Sequence, residues 1–169
     1  IRMSKPFLDV FSTLKLSKNL HTLMEQMVVE RISAKKGGNY IRIYVHGEYL
    51  IPKEQIVQVE NEISNQLFRG KDMIIKIYDT YSLSKQYNLN NLFDEYFESI
   101  LWEFQNYNHI HHILLKRADI EFLSDSKMRL IVEDTELNKG VIQEVVRILD
   151  KIIYERCGLP VEIEVAYKE

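Results

Sequence analysis

One cysteine, three prolines and six glycines in 169 residues exclude several kinds of protein at once. With Cys157 alone there is no internal disulfide framework, and the chain suits a reducing compartment. So few prolines and glycines leave no Gly/Ser linker and no proline-rich ligand tract. No apolar run approaches the roughly 18 to 20 residues that a membrane helix needs. Nor does any basic segment followed by an apolar one mark a secretory leader, so no membrane association and a cytoplasmic location are the expectations. Catalytic signatures are equally scarce. Gly37-Gly38 is too short for a phosphate loop and precedes a strand pattern, so a hairpin turn is the plainer reading. No glycine loop of the K-homology type stands between helix patterns either.

What remains is a globular composition, 46% hydrophobic and 28% charged. The net charge of −3 hides a division near residue 85. Residues 1–85 hold 13 Lys and Arg against 9 Asp and Glu, and residues 86–169 hold 9 against 16. Halves of opposite sign can face different partners or one another.

The surest element lies between Tyr87 and Leu115. Leu89, Leu92, Phe93, Tyr96, Phe97, Ile100, Leu101 and Phe104 recur at the spacing of one helical face. The rhythm weakens at Asn106-Tyr107-Asn108, where a bend is expected before Ile110. Before this helix, Ile1 to Met3 read as frayed residues, Phe7 to Leu14 and Leu20 to Met27 as short helices, and Val28 to Ala34 with Tyr40 to His46 as a hairpin. A helix after Pro52 carries Ile56, Val59, Ile63 and Leu67 on its apolar stripe, with Lys53, Glu54, Glu60 and Glu62 off it, and a strand follows at Met73 to Asp79. After the central helix come a hairpin (Ala118 to Phe122, Met128 to Val132), a helix (Val141 to Ile153) closed at Cys157-Gly158, and a strand from Val161.

The expected fold class is therefore α+β. Two similar helix-hairpin-helix-strand units, residues 4–85 and 86–169, pack around the long central helix. Duplication and convergence both explain the recurrence.

Few side chains suggest chemistry. Asp119 and Glu121 have the spacing that puts two carboxylates on one strand face, as in two-metal nucleases, but any solvated strand shows the same alternation. His109, His111 and His112 form the only histidine cluster and lack the further ligands of a zinc site, so a surface or helix-end role is the expectation. Cys157 falls at a helix C-terminus, where the dipole disfavours a thiolate, and reads as buried filler. Trp102 and the other helix aromatics read as core first, with an exposed partner surface as the alternative. No catalytic residue, metal site or cofactor is assigned. One constellation supports a binding hypothesis: Tyr40, Arg42, Tyr44 and His46 share one face of a strand, and Lys76 and Tyr78 can lie on the same face of another. Aromatic and cationic side chains on a sheet are what single-stranded nucleic acid stacks upon, while a polar or covered sheet face explains the alternation as well.

Taken as a run, Phe7-Leu8-Asp9-Val10-Phe11, Val29-Glu30-Arg31-Ile32, Tyr40-Ile41-Arg42-Ile43-Tyr44-Val45 and Ile74-Ile75-Lys76-Ile77-Tyr78-Asp79 resemble the first N-terminal region of PolC-type DNA polymerase III, the replicative polymerase of Gram-positive bacteria. Asn88 to Glu169, with Arg129-Leu130-Ile131-Val132 and Cys157-Gly158-Leu159-Pro160-Val161, resembles the second. The resemblance implies that the polymerase core, the proofreading 3′–5′ exonuclease, the PHP domain and the oligonucleotide-binding domain lie downstream, so the reading frame is expected to continue past Glu169. It also implies a fold like the polymerase-binding domain of the clamp-loader tau subunit and like type II K-homology folds. The function it implies is a non-catalytic module that holds the polymerase to replisome proteins, tau among the candidates. The alternative is a single-stranded nucleic-acid-binding accessory domain that uses the first sheet.

Overall fold

Alternation and turn chemistry build the first sheet. A computed structural model describes residues 2–169 of the chain. Within it, β2 (Val28–Ala34) and β3 (Tyr40–Gly47) form the expected antiparallel hairpin, and Gly37 takes φ +74° in the connection, a conformation glycine adopts without cost. β4 (Ile74–Tyr81) then pairs with β3 in parallel, after the chain has crossed through α3 (Lys53–Leu67). A fourth strand, β1 (Arg2–Pro6), lies antiparallel to β2, giving the order β1-β2-β3-β4. This corrects the reading of the N-terminus as frayed for Arg2 and Met3; Ile1 lies outside the described residues. The sequence Arg-Met-Ser-Lys-Pro has no alternation of its own, so pairing with β2 makes the strand.

Two short helices join β1 to β2. The first, α1 (Phe7–Val10), is shorter than expected and gives way to a turn before Leu14. The second, α2 (Lys18–Met24), starts at Ser17, whose side chain accepts the N–H of Leu20. Val29, Ile43, Val45, Ile75, Ile77 and Tyr81 are buried on the sheet, as are Ile56, Val59 and Ile63 on α3. Each such aliphatic side chain stabilises the unit by about 1.5–3 kcal/mol.

The chain divides into two compact units, one ending at Ser82 and the other beginning at Leu83. The long helix belongs to the second. There α4 (Leu89–Tyr107) opens on a reciprocal capping box, in which Asn88 Oδ1 accepts the Asn91 N–H at 3.0 Å and Asn91 Oδ1 accepts the Asn88 N–H at 2.7 Å. The anticipated break falls at Asn108, which ends α4 and caps α5 (His109–Arg117) through the N–H of His111. A second sheet follows, of order β5-β6-β7, from β5 (Asp119–Ser124), β6 (Lys127–Glu133) and β7 (Glu162–Lys168). Again the hairpin is antiparallel and the third strand parallel to its neighbour. The crossover is α6 (Glu136–Asp150), which buries Ile142, Val145 and Leu149 and runs into a π-helical turn, Lys151–Arg156. The wider turn brings Ile152 and Ile153 both into the core before Gly158 closes it at φ +73°. Mixed α+β with two small sheets is thus the architecture.

Candidate nucleic-acid or partner-binding face

Because successive strand residues point to opposite faces, burying Ile43 and Val45 on β3, and Ile75 and Ile77 on β4, turns their neighbours outward. The parallel register then sets Arg42 beside Lys76 and Tyr44 beside Tyr78, with Tyr40 beside Ile74. The structure therefore brings together all five of the side chains Tyr40, Arg42, Tyr44, Lys76 and Tyr78. Tyr44 and Tyr78 stack with ring centroids 5.1 Å apart. Arg42 lies 4.7 Å from the centroid of the Tyr40 ring, and the Tyr40 and Tyr78 hydroxyls are 3.5 Å apart. The hydrogen bond from Tyr40, then the Arg42 guanidinium, holds the Tyr78 phenol below its ordinary range, and the same bond pushes Tyr40 up.

A sixth member escaped the sequence reading. Arg31 on β2 pairs with Tyr44, and its guanidinium lies 4.1 Å from the centroid of that ring. Simple alternation puts Arg31 on the face of the buried Val29, but a bulge at Glu30 inserts one residue and turns Arg31 outward. A row Arg31–Tyr44–Tyr78 thus crosses three strands, beside a second row Ser33–Arg42–Lys76. Next along β3, His46 contacts Thr80 at 2.8 Å and Ser82 at 2.7 Å, with Glu30 at 3.8 Å. Thr80 also donates to the Val45 carbonyl, so its oxygen accepts from His46 Nδ1 and the Ser82 hydroxyl donates to Nε2.

The outward face of the second sheet supplies a comparison within the molecule. There Arg129 bridges Glu121 and Glu164 at 3.2 and 3.1 Å, Lys127 meets Glu164 at 2.9 Å, and Lys168 meets Asp119 at 2.6 Å. Asp119 and Glu121 do share a strand face, and each carboxylate is neutralised by a cation. On the first sheet, among the described residues, Arg31, Arg42 and Lys76 form no ion pair, and like charges on Arg42 and Lys76 sit side by side. That arrangement costs stability in the free protein, and an anion on the face relieves it.

The remaining candidates are structural. His111 and His112 lie at the N-terminal end of α5, in keeping with the helix-end expectation, but both are buried and not on the surface, and His112 Nδ1 lies 3.0 Å from the Leu101 carbonyl oxygen. Cys157 is buried, and no three His, Cys, Asp or Glu side chains converge as metal ligands among the described residues. Trp102 is half-buried. An open cleft of about 310 Å³ in the second unit is lined by His109, Ile110, Ile113, Arg117, Glu133 and Leu137, among others. No helix of the described residues is long and apolar enough to cross a membrane.

Residues 6–77, within the first unit, match the family model described as DNA polymerase III polC-type N-terminus I. Comparisons with curated proteins and with solved structures gave no match.

Proposed function

We propose that this chain is a non-catalytic N-terminal module of a PolC-type DNA polymerase III, working in the cytoplasm to hold the polymerase to other replisome proteins, with the clamp-loader tau subunit as the first candidate. The family match over residues 6–77 carries this reading. Two small sheets, each a hairpin with a parallel third strand, are compatible with the suggested likeness to the polymerase-binding domain of tau and to type II K-homology folds. Nucleotidyl transfer and proofreading belong, on this account, to other parts of the polymerase, and no cofactor is needed here. Retention of purified tau, clamp or primase protein on the immobilised chain tests it. A partner held at high salt supports the proposal, and failure to retain any of the three removes its basis.

The unneutralised first sheet favours a second reading, an accessory surface for single-stranded nucleic acid. Its affinity would fall with salt, since phosphate contacts release counterions.

A further inference from the structure

We propose that the outward face of the first sheet is a built single-strand site, in which a base stacks on Tyr78 and the adjoining phosphates lie along Arg42 and Lys76. This deepens the second reading above and does not depend on which replisome protein the chain holds.

Three observations carry it. The row Arg31–Tyr44–Tyr78 is already a stack, cation on ring on ring, and it ends at Tyr78 on the edge strand β4, where that side chain remains 40% exposed. A planar base placed next in the row extends the stack by one ring, a contact open to every base because each has a π-face. Second, the neighbouring row puts two cations on register-paired positions of adjacent strands, with the Tyr40 and Tyr78 hydroxyls near Arg42. Hydroxyl and guanidinium donors beside an aromatic plane match a phosphodiester next to its base. An acidic peptide uses the cations and leaves the rings idle. Third, the opposite choice is made on the second sheet, where Glu121, Glu164 and Asp119 cancel Arg129, Lys127 and Lys168. Both faces are polar, and one alone keeps its charge available.

A single strand is favoured over a duplex on geometric grounds. The side chains of the face all stand on strands, whereas a major groove is entered by a helix or a projecting ribbon, and paired bases stack on one another and present no free plane.

The test is a fluorescence-anisotropy titration of the whole chain with fluorescein-labelled dT12, repeated from low to moderate salt. Binding with Kd on the order of 10 µM at low salt is expected. With Arg42 and Lys76 as the phosphate contacts, the slope of log K against log salt should be about −1.4, and R42Q/K76Q should remove most of it. Tyr78→Ala should weaken binding by about 5- to 100-fold at every salt concentration, and Tyr78→Phe should restore most of that loss. Lys127→Gln on the second sheet should leave the titration unchanged, and circular dichroism checks that each variant is folded. No binding of dT12 at about 100 µM overturns the proposal. So does equal competition by oligoglutamate of matched charge together with an inert Tyr78→Ala, which would mark an acidic-protein surface. A chain that binds dT12 in this way yet retains no replisome protein refutes the docking proposal alone. Partner retention without dT12 binding refutes this one alone.

Discussion

The carboxylate of Glu60, on α3, accepts the backbone N–H of Ile77 at 2.8 Å, and Lys53 one end of the same helix away approaches the carbonyl oxygen of Ile77 at 3.5 Å. Ile77 sits on β4, an edge strand, so two helix side chains take the places that another strand would otherwise fill. Glu60 is only 6% exposed, and burial pushes its carboxyl above the ordinary carboxylate range despite the Ile77 N–H and the nearby lysines. A raised value in the folded state means that this group's stability contribution is fully present below the ordinary range and is lost as pH rises through the raised value. Glu60→Gln keeps an acceptor for Ile77 and removes that loss. Thermal melts should show it unchanged near pH 4 and at or above wild type near neutrality, while Glu60→Ala should lose about 1–3 kcal/mol by stranding the amide.

Asp79 is the acidic centre of a second buried network. It meets Lys53 at 3.2 Å and accepts the Tyr81 hydroxyl at 2.7 Å, and that hydroxyl in turn accepts the Ile51 N–H at 3.2 Å. Removing Asp79 takes away a buried carboxylate that lies 3.2 Å from the largely buried Lys53 ammonium. Asp79→Ala should therefore cost about 3–5 kcal/mol in chemical denaturation, against about 1 kcal/mol for Tyr81→Phe.

Gly47 ends β3 in a tight place. A methyl group there would collide with Met27 Sδ and stand 2.5 Å from Gln26 Oε1. Met27 is fully buried, and Gln26 Oε1 accepts the N–H groups of Glu48 and Tyr49, so neither neighbour yields freely. Gly47→Ala should destabilise by about 1–3 kcal/mol, read as a lower denaturation midpoint at unchanged slope.

The tyrosines should titrate apart. Tyr78 ionises below the ordinary 10.0, and Tyr40→Phe, which removes the donor, should return it toward that value in an absorbance titration at alkaline pH. In the second unit, the Tyr87 hydroxyl donates to Glu95, and this bond pushes the phenol up to about 12. The stabilisation it gives is complete below the ordinary 10.0 and is lost between there and about 12. Tyr87→Phe should delete the last tyrosine step.

Strong periodicity was legible and its exceptions were not. The eight apolar positions of the long helix, the break at Asn108 and the facing of Tyr40, Arg42, Tyr44, Lys76 and Tyr78 follow from spacing, because burying every second strand residue fixes the others. β1 was illegible because a polar pentapeptide becomes a strand only through its partner. Arg31 was hidden by a one-residue bulge, which reverses every facing argument beyond it. Glu60 stands off the apolar stripe of its helix, and its burial is not legible there because an edge-strand amide seeking an acceptor leaves no mark in the helix's own sequence. The pairing of Asp119 with Lys168 and of Glu121 with Arg129 depends on strand register across 49 and 8 residues, again invisible to local pattern.

The two outward sheet faces differ in kind: one is closed by its own ion pairs, and the other carries the cations and rings proposed above to take an anionic, planar ligand. Amide and ring-proton chemical shifts of the whole chain, followed by NMR during addition of a short deoxythymidine strand, test it most directly. Perturbations concentrated at Arg31, Arg42, Tyr44, Lys76 and Tyr78, with Glu121, Arg129 and Glu164 unmoved, are the predicted result. Shifts spread evenly over both sheets, or centred on the second, would contradict it.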